Sequence, residues 1–233
     1  MQDYHTILEG HTEVEKGAYL GAIASIATAD REASPEELNY LSALCDSAEL
    51  SPDQKAAVVK AATELTGEEL NHCLDILKNS NLKYSLVADL MAFAKADNNY
   101  SEEEQQNVQK IAQYLQVDQK QFSLLDQFAK NATAPSVSTE EVAKPSFLSS
   151  LGLQDKMESA GINSSGLLKG LLGIAAPVIL SGMLSGGLSG GGLFGRGMRR
   201  GGLGSIISMF NGGRGMGSTG GLFSRVLGGG FGF

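Results

Sequence analysis

From Val14 to Ala129, apolar residues recur at three- and four-residue spacing and β-branched runs are absent, which predicts helices throughout. A first helix is expected over about 14–29. Ser34-Pro35-Glu36-Glu37 then places Ser at N-cap, Pro at N1 and Glu at N3, a capping box. The helix it opens carries Leu38, Leu41, Leu44, Cys45 and Ala48 as one apolar stripe. Ser51-Pro52 starts a third helix, Thr66-Gly67-Glu68-Glu69 a fourth and Leu82 a fifth. Ser101 caps a sixth with Glu104 at N3, and Asp118 starts a seventh ending near Ala129. The loops are short, so sequence neighbours are expected to pack antiparallel.

The pattern also repeats. Shifted by 67 residues, Ile23–Asp53 falls on Leu90–Lys120 without a gap. Ala29-Asp30 meets Ala96-Asp97; Ser34, Glu36 and Glu37 meet Ser101, Glu103 and Glu104. Leu41, Leu44, Ala48 and Leu50 meet Val108, Ile111, Leu115 and Val117. In each copy an apolar helix ends at an Asp, a short step follows, and a Ser-capped acidic helix begins. The expected fold is therefore all-α: a duplicated bundle of about seven helices in two pseudo-symmetric halves.

The doubled Ala-Asp-x-x-x-Ser-x-x-Glu pattern on alternating apolar and acidic helices, over about residues 14–130, resembles the TerB-like domain family. That group includes the tellurium-resistance protein TerB and the amino-terminal domain of a membrane-anchored DnaJ-type co-chaperone. The resemblance implies a bacterial helical protein that binds divalent metal through acidic side chains. Carried onto matching positions, these are Asp30, Glu37, Asp97 and Glu104. Arg31 and Asn98 stand where family members often carry Gly after the Asp, a departure that bears on loop geometry.

Clustered carboxylates suit a hard cation of the calcium or magnesium class, and their mutual repulsion would favour one. A simpler use competes with this. Glu37 and Glu104 sit at N3, where a carboxylate reaches back to the cap and is worth roughly 0.5–1 kcal/mol without any metal. An EF-hand is excluded: counted from Asp97, the sixth position is Glu102 instead of Gly and the twelfth is Val108 instead of Glu.

Other reactive groups are sparse. His5, His11 and His72 form no metal-binding spacing. Cys45 and Cys73 read as small core residues, and His72 beside Cys73 faces another direction on a helix. No nucleophile elbow, phosphate loop or dinucleotide fingerprint occurs in the helical half, so a non-enzymatic protein is expected.

Composition then splits the chain. Residues 1–158 hold all 26 acids and 12 Lys/Arg, a balance of −14, whereas residues 159–233 hold six Lys/Arg and no acid. Of 30 glycines, 25 lie in that second part. The expected division is a helical domain over 1–130, a linker with one short helix over 131–165, and a Gly-rich basic tail over 166–233. Residues 131–146 are small, polar and proline-punctuated, the composition of a flexible tether. Phe147–Ala160 would form one amphipathic helix with Phe147, Leu148, Leu151 and Met157 on a side.

Gly170–Phe194 runs for 25 residues without a charge, although its apolar part proper ends at Leu184. Shorter apolar modules follow at Gly202–Phe210 and Gly221–Leu227, with Arg196, Arg199 and Arg200 ahead of them. Arginine flanking apolar pieces favours anionic lipid, so the tail is expected to associate with a membrane. Disorder in solution and self-assembly are the competing uses. Few aromatics and the −14 domain argue against nucleic acid. No export signal is visible at the start, so a cytoplasmic place is expected, with attachment to the inner face of the membrane. The function expected is a stress-response or scaffold protein with protein partners, and homo-oligomers are compatible with it. The alternative is an interaction module whose basic tail binds the acidic helical domain.

Overall fold

The computed structural model describes residues 7–27, 35–63, 68–95, 102–134, 136–142 and 144–172. Every regular element among them is a helix: α1 (Glu13–Ala27), α2 (Pro35–Ser47), α3 (Pro52–Thr63), α4 (Glu68–Leu77), α5 (Leu82–Lys95) and α6 (Glu102–Tyr114). Then come α7 (Gln119–Ala132), α8 (Thr139–Val142), α9 (Pro145–Ser150), α10 (Gln154–Ser159) and α11 (Ser164–Gly170). The fold is all-α.

Helices α1 and α5 are apolar on nearly every side, and a helix of that kind has to be central. Tyr19, Leu20, Ala22 and Ala24 of α1 and Leu86, Val87 and Met91 of α5 are almost wholly enclosed. This overrides the pairing of sequence neighbours expected from short loops. Helix α1 packs chiefly against α3 and α4, and α5 chiefly against α7, so the chain's two apolar helices act as axles for their surroundings.

Helix boundaries keep the 67-residue offset. Helix α2 and α6 coincide end for end under it, and α3 and α7 begin at equivalent residues. The turns that close α2 and α6 also correspond. Glu49 and Gln116 both adopt φ 58°, and the bond from Leu50 N–H to Cys45 O (3.0 Å) has its counterpart from Val117 N–H to Ala112 O (2.9 Å). This is a Schellman-type stop built on a non-glycine left-handed residue.

Residues 131–165 depart from the expected tether and single short helix. Helix α7 continues to Ala132, and α8, α9 and α10 follow. Val142, Phe147, Leu148, Leu153, Met157 and Ile162 all enter the same core as α1–α7. Phe147 meets Phe128 of α7 edge-to-face at 6.2 Å between ring centres. The helix expected over Phe147–Ala160 is interrupted at Gly152, which takes φ 61° and divides it into α9 and α10. Phe147, Leu148 and Met157 are buried as the stripe predicted, by virtue of two short helices rather than one. The first residues assigned to the tail also belong here: Leu167, Leu168, Leu171 and Leu172 are buried.

Candidate functional site

Glu37 is the third residue of α2 and Glu104 the third residue of α6, so the two acid-bearing helix starts are equivalent under the offset. Asp30 and Asp97, and the side chains of Glu37 and Glu104, lie outside the described residues. Among the described residues no group of three or more His, Cys, Asp or Glu is gathered to hold a metal. The donor set of the four sequence candidates is all carboxylate, a chemistry that fits a hard divalent cation.

Two other helix starts show what an N3 carboxylate or amide does in this chain. At α1, Thr12 Oγ1 accepts from Glu15 N–H (3.3 Å) and Glu15 Oε2 accepts from Thr12 N–H (2.9 Å). At α7, Asp118 Oδ1 accepts from Gln121 N–H (2.8 Å) and Gln121 Oε1 accepts from Asp118 N–H (3.0 Å). Both are closed capping boxes.

A cleft of about 380 Å³ opens between α3 and α4 with α1 as its floor. Val14, Gly17, Ala18 and Gly21 share one face of α1 at helical spacing and form that floor. Ala57 and Ala61 of α3 form one wall, and Cys73 and Ile76 of α4 the other. Lys60 and His72, both exposed, bring the polar groups of the rim. The glycines are there for close approach: a Cβ on Gly21 would lie 2.9 Å from Cys73 Sγ, and one on Gly17 would meet Gln54 Oε1. Cys73 and Cys45 are buried, as their stripes predicted, and burial pushes the Cys45 thiol up to about 11. That suppresses the thiolate a nucleophile needs.

Sequence reasoning passed over Asp89. It is 1 % exposed in the middle of α5, where Oδ2 accepts hydrogen bonds from Tyr19 OH of α1 (2.5 Å) and from Leu172 N–H (2.8 Å). Burial, then the neighbouring Asp89 charge, drives the Tyr19 hydroxyl well above its ordinary pKa, so it stays protonated as a donor. Nearby, Ser85 Oγ donates to Leu167 O (3.0 Å), and Gly170 lies so close that a Cβ would be 2.9 Å from Leu82 Cδ2. A lone acid within Leu-Val-Ala-Asp-Leu-Met was the available signal: a carboxylate on a buried helix requires donors.

Helix bundles of many families share such features; the match to known proteins is what decides among them. Residues 16–127 match the family described as Tellurite resistance protein TerB. This region is a TerB domain. The match covers α2 and α6 whole, and with them both acid-bearing helix starts. It stops inside α7, before the 139–172 segment that completes the TerB domain's core. No curated protein and no solved structure matches the chain. Among the described residues no helix is long and apolar enough to cross a membrane.

Proposed function

We propose that the protein is a non-enzymatic TerB-type stress-response or scaffold protein that binds a divalent cation through Asp30, Glu37, Asp97 and Glu104. The observation that carries this reading is the TerB match spanning two helix starts 67 residues apart, each with Glu at its third position. A duplicated acid-bearing corner supplies carboxylate oxygens in pairs, the donor type that hard cations take. The tail beyond residue 172 would associate with anionic membrane through its arginines and apolar modules.

Calorimetry of the full chain with calcium and with magnesium tests the cation. Saturable binding is expected, lost in a chain carrying Asp30→Ala and Asp97→Ala. Absence of binding, or binding that survives both substitutions, overturns it. In that event Glu37 and Glu104 keep the use that Glu15 and Gln121 visibly have, as N3 partners of a helix cap.

A further inference from the structure

We propose that residues 164–172 are an exchangeable strap, docked on α5 in the absence of lipid and passed to the surface of an anionic membrane when the tail binds there. The inference rests on the membrane reading of the tail given above and adds to it a segment of the described fold.

The strap suits two surfaces. Its sequence is Ser-Ser-Gly-Leu-Leu-Lys-Gly-Leu-Leu. At about 100° per residue its leucines at 167, 168, 171 and 172 fall within an arc of roughly 140°, with Lys169 on the other side. Docked, all four leucines are buried while Lys169 is exposed. An apolar stripe backed by a cation is also the pattern of a helix lying among anionic headgroups, and the lysine keeps such a segment in the plane of the surface. Release into water would expose the leucines, whereas release onto a bilayer keeps them covered, so lipid lowers the cost of leaving α5.

The face of α5 beneath the strap is made differently from its counterpart on α1. Under the 67-residue offset Ser85 and Asp89 correspond to Ala18 and Ala22. Those alanines are buried within the family-matched bundle. In their place α5 carries a hydroxyl and a carboxylate one turn apart, which the strap's main chain satisfies when docked and water can solvate when it is gone. Ser85 Oγ donates to Leu167 O (3.0 Å), and Asp89 Oδ2 accepts from Leu172 N–H (2.8 Å). The bond from Tyr19 OH (2.5 Å) holds the Asp89 carboxylate from the α1 side, independently of the strap. Well-packed apolar residues stabilise a core as well as a buried charge does, so these two polar groups serve the attachment of this segment more than the cohesion of the bundle.

Docking and lipid binding also differ in what they ask of Gly170. A Cβ there would lie 2.8 Å from Ser85 Cβ and 2.9 Å from Leu82 Cδ2, so α5 admits only glycine at that point. A bilayer surface, with no helix pressed against the position, makes no such demand.

Flotation of the full chain with vesicles of phosphatidylglycerol and phosphatidylcholine tests the exchange, comparing Gly170→Ala with Gly166→Ala. Both variants add the same methyl group to the strap, but at 166 the nearest atoms belong to Asn163, the strap's own cap. Gly170→Ala is expected to lower the lipid concentration for half-maximal flotation roughly threefold relative to both wild type and Gly166→Ala. Without lipid, it is expected to speed tryptic cleavage after Lys169 roughly fivefold, with Gly166→Ala unchanged. Unaltered cleavage of the 170 variant overturns the docking contact as the hold on the strap. Faster cleavage with flotation like wild type, or equal gains in the two variants, overturns the exchange and leaves the membrane reading of the tail intact. Flotation by none of the three chains overturns that reading, and the exchange with it.

Discussion

Asp118 and Ser51 stand 67 residues apart at the starts of α7 and α3, yet they hold their helices differently. Asp118 closes a two-way box with Gln121, whereas Ser51 Oγ accepts from Gln54 N–H at 3.4 Å and the Gln54 side chain is turned toward Gly17. Asp118→Ala should therefore cost about 1 kcal/mol in urea unfolding, and Ser51→Ala only about half that. A second residue-scale prediction concerns pH. The hydrogen bond from Tyr114 OH (2.6 Å) is the main cause holding the Asp75 carboxyl below its ordinary 3.8, with Lys78 helping. A depressed carboxyl contributes stability above that ordinary value and loses it as pH falls through the folded value. Tyr114→Phe should move the Asp75 titration up toward 3.8 by NMR, and its stability deficit should shrink as the solution is acidified below about pH 4. An unmoved titration would show the bond to be irrelevant to the charge.

At the scale of elements, the two floor glycines of α1 separate close packing from mere proximity. The atom facing Gly17 is the far end of a flexible Gln, while the one facing Gly21 is the short, buried Cys73 side chain of α4. Gly17→Ala is expected to be neutral or slightly stabilising, because alanine relieves glycine's helix penalty of about 1 kcal/mol. Gly21→Ala should cost a net of about 1 kcal/mol, since α4 must shift to admit the methyl group. Thermal unfolding of the two variants side by side checks the contrast. The starts of α2, α3, α5, α6 and α7 were legible because each carries a cap or a clear change of period at the right place. The segment from 139 to 172 was legible only in part: the apolar stripe of Phe147, Leu148 and Met157 was visible, but its division into Pro145–Ser150 and Gln154–Ser159 was not, and the small polar residues of 131–146 have the composition of a tether. Only tertiary burial of Phe147, Met157 and Ile162 orders these short helices. The central place of α1 and α5 was written in their all-round apolarity, a signal that one-sided stripe counting overlooks. Of the candidate site, the two Glu positions at helix starts were legible, while the cleft and the buried carboxylate arise from contacts between elements distant in sequence.

For the whole molecule, the burial of Leu171 and Leu172 shortens what the tail can offer a bilayer. The apolar stretch ahead of the glycine-rich part then runs from 173 to 184, and twelve residues of helix reach about 18 Å against a hydrocarbon core of about 30 Å. Flotation of the full chain with anionic vesicles is expected to be salt-sensitive and lost on neutral vesicles, the behaviour of a surface contact. Salt-resistant flotation on neutral vesicles would contradict it. The tie between Asp89 and Leu172 has a further, practical consequence for anyone cutting this protein. The family match ends at 127, but a piece trimmed there removes α11 and the end of α7 from beside α5 and takes away a main-chain donor from a carboxylate in the core. A fragment of residues 1–172 should melt in one sharp transition; a fragment of residues 1–127 should be recovered from cells mostly as aggregate.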